Sequence, residues 1–132
     1  MFLLDTNICI YALKGKYPSI AQKLLSIRPE QIKVSAVTVM ELEYGASKSK
    51  WGERSRESMR AFLAAFDTLP FTTDDAKICG MLRAELTALG TPIGAYDIMI
   101  ASQGISHGLT VVTHNISEFQ RVPGILVEDW VN

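Results

Sequence analysis

The chain has 132 residues, 13 of them basic and 14 acidic, a formal net charge of −1, 48% hydrophobic and 20% charged residues. A chain of this size buries about two-thirds of its unfolded surface, so a core without disulfides is expected; the balance is globular rather than disordered, and the molecule as a whole is not a polycation. Any nucleic-acid binding therefore has to come from a local basic patch.

One domain over residues 1–132 is expected at this length. The two cysteines, Cys9 and Cys79, lie in apolar helix-like segments and are read as reduced core residues. Asp5 arrives directly after Phe2-Leu3-Leu4, too soon for a signal-peptide core, and no apolar run is long enough for a bilayer. A soluble cytoplasmic protein is the expectation.

In chain order, residues 2–4 read as a strand, and helical segments follow around residues 11–25. Ile32, Lys33, Val34 and Ser35 form a second strand, and Val37, Met40, Leu42, Tyr44 and Ala46 fall in a helix. Residues 48–60 are polar and charge-dense and are expected as a helical hairpin protruding from the core. Met59, Phe62, Leu63 and Phe66 recur at helical spacing, and Leu69-Pro70-Phe71 makes a weak edge strand. A helix is predicted from about residues 73–75, with Asp74 and Asp75 at its positive end, to Leu89, stopped by Gly90 and Pro92. Another spans residues 96–107 and ends at Gly108. Strands at 109–113 and 125–127 complete an α/β pattern with a parallel sheet covered on both faces.

Most of the acidic residues sit in polar company, but Asp5, Glu41 and Asp97 lie inside apolar runs. A partly buried carboxylate is costly unless it is paired, hydrogen-bonded or bound to a cation. Asp5 ends the first strand, at the edge where open α/β sheets bind ligands. Glu41 is about one and a half turns into the helix leaving the second strand. Asp97 begins the helix leading to the next clear strand, and Asn115 follows that strand. Individually, Asp97 reads equally as a helix N-cap, Glu41 as a surface residue and Asp5 as a turn residue. Together they favour a site at one rim of the sheet. Oxygen-only ligands suit Mg²⁺, with Mn²⁺ as a substitute, and such an ion can activate water against a phosphodiester.

The residues around these acids resemble the PIN-domain ribonucleases, and within them the VapC-type toxins. Phe2-Leu3-Leu4-Asp5-Thr6-Asn7-Ile8 is similar to the family's first motif, and Val37-Thr38-Val39-Met40-Glu41-Leu42-Glu43-Tyr44-Gly45-Ala46 to its second. Gly90-Thr91-Pro92-Ile93-Gly94-Ala95-Tyr96-Asp97-Ile98-Met99-Ile100-Ala101 is similar to the third, and Val111-Val112-Thr113-His114-Asn115-Ile116-Ser117-Glu118-Phe119 to the last. The resemblance implies a Rossmann-like three-layer sandwich with a central parallel sheet of four to five strands. It implies a metal-dependent endoribonuclease, with Asp5, Glu41 and Asp97 as catalytic metal ligands and Asn115 where many relatives carry a fourth acid. That departure leaves fewer negative charges and bears on a second metal, although the Asn115 amide can still orient water. Thr6 and Thr113 are candidate positioning hydroxyls or ordinary strand-end threonines. The resemblance further implies an RNA substrate, often tRNA, a cognate VapB-type antitoxin and a homodimer.

Candidate RNA contacts are Lys14, Lys16, Lys48, Lys50, Arg54 and His114, against the alternative of a solvated helix with local ion pairs for the stretch that also holds Arg56 and Arg60. Tyr44, Trp51 and Tyr96 are candidates for base stacking or for burial. The two histidines do not suit a zinc or two-histidine ribonuclease mechanism, and His107 reads as a favourable charge at a helix end.

A phosphoryl-accepting receiver needs a second acid beside Asp5 and a lysine near the last strand, but Thr6 follows Asp5 and the last lysine is Lys77. A haloacid-dehalogenase-type phosphatase needs an aspartate where Asn7 stands. An RNA-processing nuclease of the same fold and a non-catalytic acidic-pocket binding module stay as alternatives.

Overall fold

The computed structural model describes residues 1–50 and 52–132; Trp51, a candidate for base stacking, lies outside the described residues. The order is β1 (Phe2–Leu4), α1 (Thr6–Lys14), α2 (Pro18–Ser26), a 3₁₀ turn (Pro29–Gln31), β2 (Ile32–Ser35), α3 (Ala36–Lys48), α4 (Gly52–Leu63), β3 (Asp67–Leu69), α5 (Thr73–Ala88), α6 (Ala95–His107), β4 (Thr110–Val112), α7 (Ile116–Phe119) and β5 (Leu126–Glu128).

The five strands pair in parallel in the order β3-β2-β1-β4-β5. β1 is central: Leu3 sits level with Lys33 and Val111, and Leu4 with Val34 and Val112. Because side chains alternate along a strand, neighbouring residues feed opposite cores. Leu3 and Val111 pack with Val37, Leu86, Ile98 and Phe119 on one face. Leu4, Val34 and Val112 pack with Ile8, Ile20, Leu42 and Met59 on the other. The three-layer parallel sandwich is thus the observed architecture, with five strands.

Three expectations shift. The third strand is Asp67–Leu69 rather than 69–71, because Pro70 has no N–H to give to the ladder. Lys33 Nζ bonds Asp67 Oδ2 at 2.7 Å across the β2–β3 pair, fixing that register. The charged hairpin does not protrude freely: α4 buries Met59 in the second core. A Cβ on Gly52 would come within 3.3 Å of the Ala46 carbonyl, so the chain at the start of α4 closely approaches α3. His107 has a more specific partner than a helix end, with Nε2 3.2 Å from Asp75 Oδ1.

Several boundaries have local causes. Thr72 and Asp75 form a reciprocal capping box at the start of α5. Gly108, at φ 63°, ends α6 in the left-handed conformation that glycine adopts without steric cost. Among the described residues, no helix is long and apolar enough to cross a membrane.

Gly104 is a constraint of another kind. A Cβ there would meet Val111 Cγ2 at 2.6 Å, and Val111 is a stiff, fully buried β-branched residue. Gly104→Ala should gain about 1 kcal/mol of helix propensity but incur an overpacking cost of about 1–3 kcal/mol. Net destabilisation is expected in thermal or urea unfolding; a variant more stable than the parent would show that α6 and β4 are not held at this spacing.

Candidate active site at the sheet rim

The sheet order reverses between β1 and β4, and the chain leaves both strands at their C-terminal ends there, the usual crevice of an open α/β sheet. Asp5 occupies that crevice. Its backbone N–H donates to the Val112 carbonyl at 3.0 Å, which carries the β1–β4 pairing into the turn. Its Oδ1 accepts the Ile8 N–H at 2.9 Å, so the side chain also starts α1. The Thr113 hydroxyl bonds the same carboxylate, and Asp5 is only 3% exposed.

Glu41 reaches the rim from α3, whose first turn is capped by Ser35. Thr6 Oγ1 donates to Glu41 Oε1 at 2.6 Å and lies 3.0 Å from Thr38 Oγ1. A hydroxyl has one proton, so Thr6 spends its own on Glu41 and Thr38 donates to Thr6. Asp97 reaches the rim from α6, but it is not the N-cap: Gly94 holds that position, and the Asp97 carboxylate lies in the first turn of the helix.

Asn115 follows β4. Its N–H donates to the Thr113 hydroxyl at 3.0 Å, and its Nδ2 donates to Glu118 Oε2 at 2.7 Å. Glu118 Oε1 accepts the Gly94 N–H at 2.7 Å, tying the end of β4 to the start of α6. Glu118 thus brings a fourth carboxylate beside Asp97, offsetting the charge that Asn115 lacks. It was not singled out from the sequence, although its spacing from Asn115 matches an N-cap and its third helical residue. Thr38 was also missed; a threonine in a valine-rich helix carries no signal of the hydroxyl that it will face.

The electrostatics follow from this packing. Burial pushes the Asp5 carboxyl up to about 6, opposed by bonds from Thr113 and Ile8 and reinforced by the charges of Asp97 and Glu41. Burial likewise pushes Asp97 up to about 6, with Glu118 and Glu41 adding to the rise. Glu118 is held below the usual range by the Gly94 and Asn115 amides. The four acids are therefore close enough to feel one another's charge. Among the described residues no three acidic, histidine or cysteine groups close around one point. The donor set is nonetheless oxygen-only, which fits an ion that retains several waters and takes one or two carboxylates.

Of the expected RNA contacts, Lys14 and Arg54 line a cleft of about 500 Å³ between α1, α3 and α4 that also reaches Glu41. Lys16 Nζ lies 5.2 Å from the Tyr11 ring centre and 5.4 Å from that of Tyr17. Lys48 Nζ lies 4.9 Å from the Tyr44 ring, and Lys50 is exposed beyond the end of α3. Arg56 is held by Glu43, Glu53 and Ser47, the ion-pair reading of that helix. Tyr44 and Tyr96 are 63% and 49% exposed, so neither is the buried residue that one reading anticipated. His114 Nδ1 is 2.9 Å from Asp129 Oδ2.

A carboxyl with a folded pKa above its unfolded one contributes stability that is complete below about pH 4 and lost as pH rises through the folded value. For Asp5, raised from 3.8 to about 6, the loss at pH 8 is of the order of 3 kcal/mol. Asp5→Asn keeps an N-cap acceptor and removes the charge. In EDTA at pH 8 it should therefore melt higher than the parent, with the gap closing near pH 4. Added Mn²⁺ should raise the melting temperature of the parent alone; equal melting at both pH values would show that Asp5 carries no buried charge.

The PIN domain profile matches residues 2–125. The tRNA(fMet)-specific endonuclease VapC of Salmonella typhimurium is 43% identical over 129 residues, covering 98% of this chain and 97% of its own. Ribonuclease VapC2 of Rickettsia felis is 37% identical, covering 98% of each. In structure, a chain of DNA-bound VapBC from Salmonella typhimurium superposes with a TM-score of 0.93 at 43% identity, over 98% of this chain and 97% of that one. With motifs, sheet order and full-length similarity in agreement, the chain belongs to the PIN-domain family and, within it, to the VapC ribonucleases.

Proposed function

We propose that the chain is a divalent-metal-dependent endoribonuclease that hydrolyses a tRNA phosphodiester in the cytoplasm, as the toxin of a toxin–antitoxin pair. The observation that carries the reading is the Asp5 carboxylate, buried at the end of the central strand and driven up to about 6 by burial and by the charges of Asp97 and Glu41. Keeping ionised carboxylates this close is costly unless a cation offsets their mutual repulsion.

Asp5 and Asp97 would hold Mg²⁺ or Mn²⁺, with Glu41 completing the set or acting through water. When bound, the ion supplies Lewis-acid polarisation of the phosphoryl oxygens and eases deprotonation of the attacking water. The chain's own groups set the geometry. Ile8 N–H and Thr113 fix Asp5, so its orientation is set before substrate arrives. Thr6 occupies Glu41 Oε1 and leaves Oε2 to orient the water and take its proton. Glu118, held by Gly94 and Asn115, adds a fixed negative charge beside Asp97. In-line attack by water leaves a 5′-phosphate and a 3′-hydroxyl, because the ribose 2′-hydroxyl is not the nucleophile.

The tRNA assignment rests on the Salmonella typhimurium relative, whose name specifies tRNA(fMet). The partner assignment rests on the VapBC complex from the same organism, and the pair is proposed as this chain with a VapB-type antitoxin. A homodimer belongs to the same proposal and is tested by sedimentation of the purified chain.

The test is cleavage of bulk bacterial tRNA and of isolated initiator tRNA with Mg²⁺, Mn²⁺ or EDTA. Discrete cuts that need metal, bear 5′-phosphates and vanish in Asp5→Ala and Asp97→Ala are expected. Ends carrying 2′,3′-cyclic phosphate, or cuts unchanged in either variant, would remove the carboxylate mechanism. Thr6→Val should lower the rate about 10- to 100-fold through Glu41, with Thr6→Ser restoring it; a Thr6→Val rate equal to the parent's would make Thr6 merely a helix-start residue.

A further inference from the structure

We infer that Tyr11, Lys16, Tyr17 and His114 form a preassembled nucleotide subsite that seats the RNA strand beside the acidic rim; this rests on the ribonuclease reading above. His114 stands between Thr113, which bonds Asp5, and Asn115, which bonds Glu118. His114 therefore lies at the C-terminal end of β4, the edge of the sheet that carries the acids. Thr113 N–H donates to the Glu128 carbonyl at 2.9 Å, fixing this turn to the last strand. His114 Nδ1 donates to Asp129 Oδ2 at 2.9 Å, which orients the ring, and Asp129 is itself held through Oδ1 by the Val131 N–H at 2.9 Å. The His114 side chain is 44% exposed and that of Asp129 19%.

The other three groups come from the end of α1. Tyr11 and Tyr17 meet edge to face at 5.1 Å, and their rings lie 6.4 and 6.2 Å from that of His114. Gly15, at φ 62°, reverses the chain, and Lys16 N–H donates back to the Tyr11 carbonyl at 3.0 Å. Lys16 Nζ is thereby set over both tyrosines. Lys16 is exposed and makes no ion pair among the described residues, whereas Lys23, Lys33 and Arg56 are each paired with a carboxylate.

An unneutralised ammonium, two tyrosine rings and an oriented imidazole match the two parts of a nucleotide, phosphate and flat base. The position also calls for a cation. A polyanion entering a rim of four acids is repelled wherever metal does not shield them, so its neighbouring phosphates need positive charge close by. An acidic protein segment would use Lys16 but has no comparable use for the ring array, which favours RNA as the occupant.

The test measures binding of a fluorescein-labelled single-stranded 12-nucleotide RNA and of labelled tRNA by anisotropy, in EDTA, over a series of salt concentrations. Lys16→Ala should weaken binding about five- to tenfold and reduce the slope of log affinity against log salt by about 0.7. His114→Ala and Tyr17→Leu should each weaken it by about fivefold or more, as loss of a stacking face does. Lys16→Arg and Tyr17→Phe should restore near-parental affinity, and Lys77→Ala on α5 should change little. Circular dichroism melting identifies any variant that has lost its fold, and the conservative replacements then carry the decision. Parental affinity and salt slope in folded Lys16→Ala, His114→Ala and Tyr17→Leu would overturn the subsite, even if poly-glutamate binding fell in the same variants, which would mark a protein-docking face. A parent chain that neither binds nor cuts RNA would overturn the ribonuclease reading and the subsite with it; a parent that cuts RNA, with unaffected variants, removes the subsite alone.

Discussion

Burying the Asp5 carboxylate constrains the rest of the molecule. The residue closes the central strand, begins α1 through Ile8 and accepts from Thr113, so three elements meet on a single side chain. Few proteins place an acid at 3% exposure without a partner cation, because desolvation penalises the charged form. Here the bonds to Asp5 lower that penalty without cancelling it, and Asp97 and Glu41 then raise it again. The fold tolerates this because the strands on either side, β2 and β4, are locked to β1 in parallel register and leave Asp5 nowhere to go.

The helices that bring the other acids are held by features remote from the rim. α6 lies against β4 at a spacing that Gly104 sets, and α5 holds its far end through a buried polar network. Burial works against ionisation of Asp75, but the Thr72 amide, Ser106, Gln103 and His107 hold its carboxyl below the usual range. Gln103 Nε2 reaches Asp75 at 3.2 Å and the Pro70 carbonyl at 3.1 Å, joining α6 both to α5 and to the segment after β3. Such a network, buried and charged, specifies one alignment of two helices more sharply than apolar contact does. Its consequence at the rim is a fixed position for Asp97 at the opposite end of α6 from His107.

Much of this was legible because apolar runs interrupted by acids are rare, and Asp5, Glu41 and Asp97 stood out on that ground alone. The helix end at Gly108 and a start of α5 near residues 73–75 were legible for a local reason, since helix ends depend on neighbours in sequence, although the Thr72 cap itself was not foreseen. What failed was decided across space. Pro70 ends the edge strand, which lies at residues 67–69 instead of 69–71 because pairing with β2 runs only as far as the N–H groups reach. Glu118 was not singled out because its donor, the Gly94 N–H, lies twenty-four residues earlier. In the Thr38–Thr6–Glu41 relay, Thr38 and Glu41 share one face of α3, but no spacing rule connects them to Thr6, which comes from another strand–helix unit.

In a chain of net charge −1, the proposed binding of a polyanion depends on where the charges lie. The negative charge that matters is concentrated at the rim, where Asp5, Glu41, Asp97 and Glu118 converge on the C-terminal ends of β1 and β4. The cations stand to either side of it: Lys14 and Arg54 on the cleft that reaches Glu41, and Lys16 over the tyrosines beside His114. Under the proposed function, attraction to either side and repulsion at the centre would favour a strand whose phosphates span the rim with a metal ion between them. Without the ion, the same acids work against the fold, since each ionised carboxylate disfavours the next. Stability and activity are thus opposed in one cluster, and the metal that would enable hydrolysis is also what would relieve the strain of assembling it.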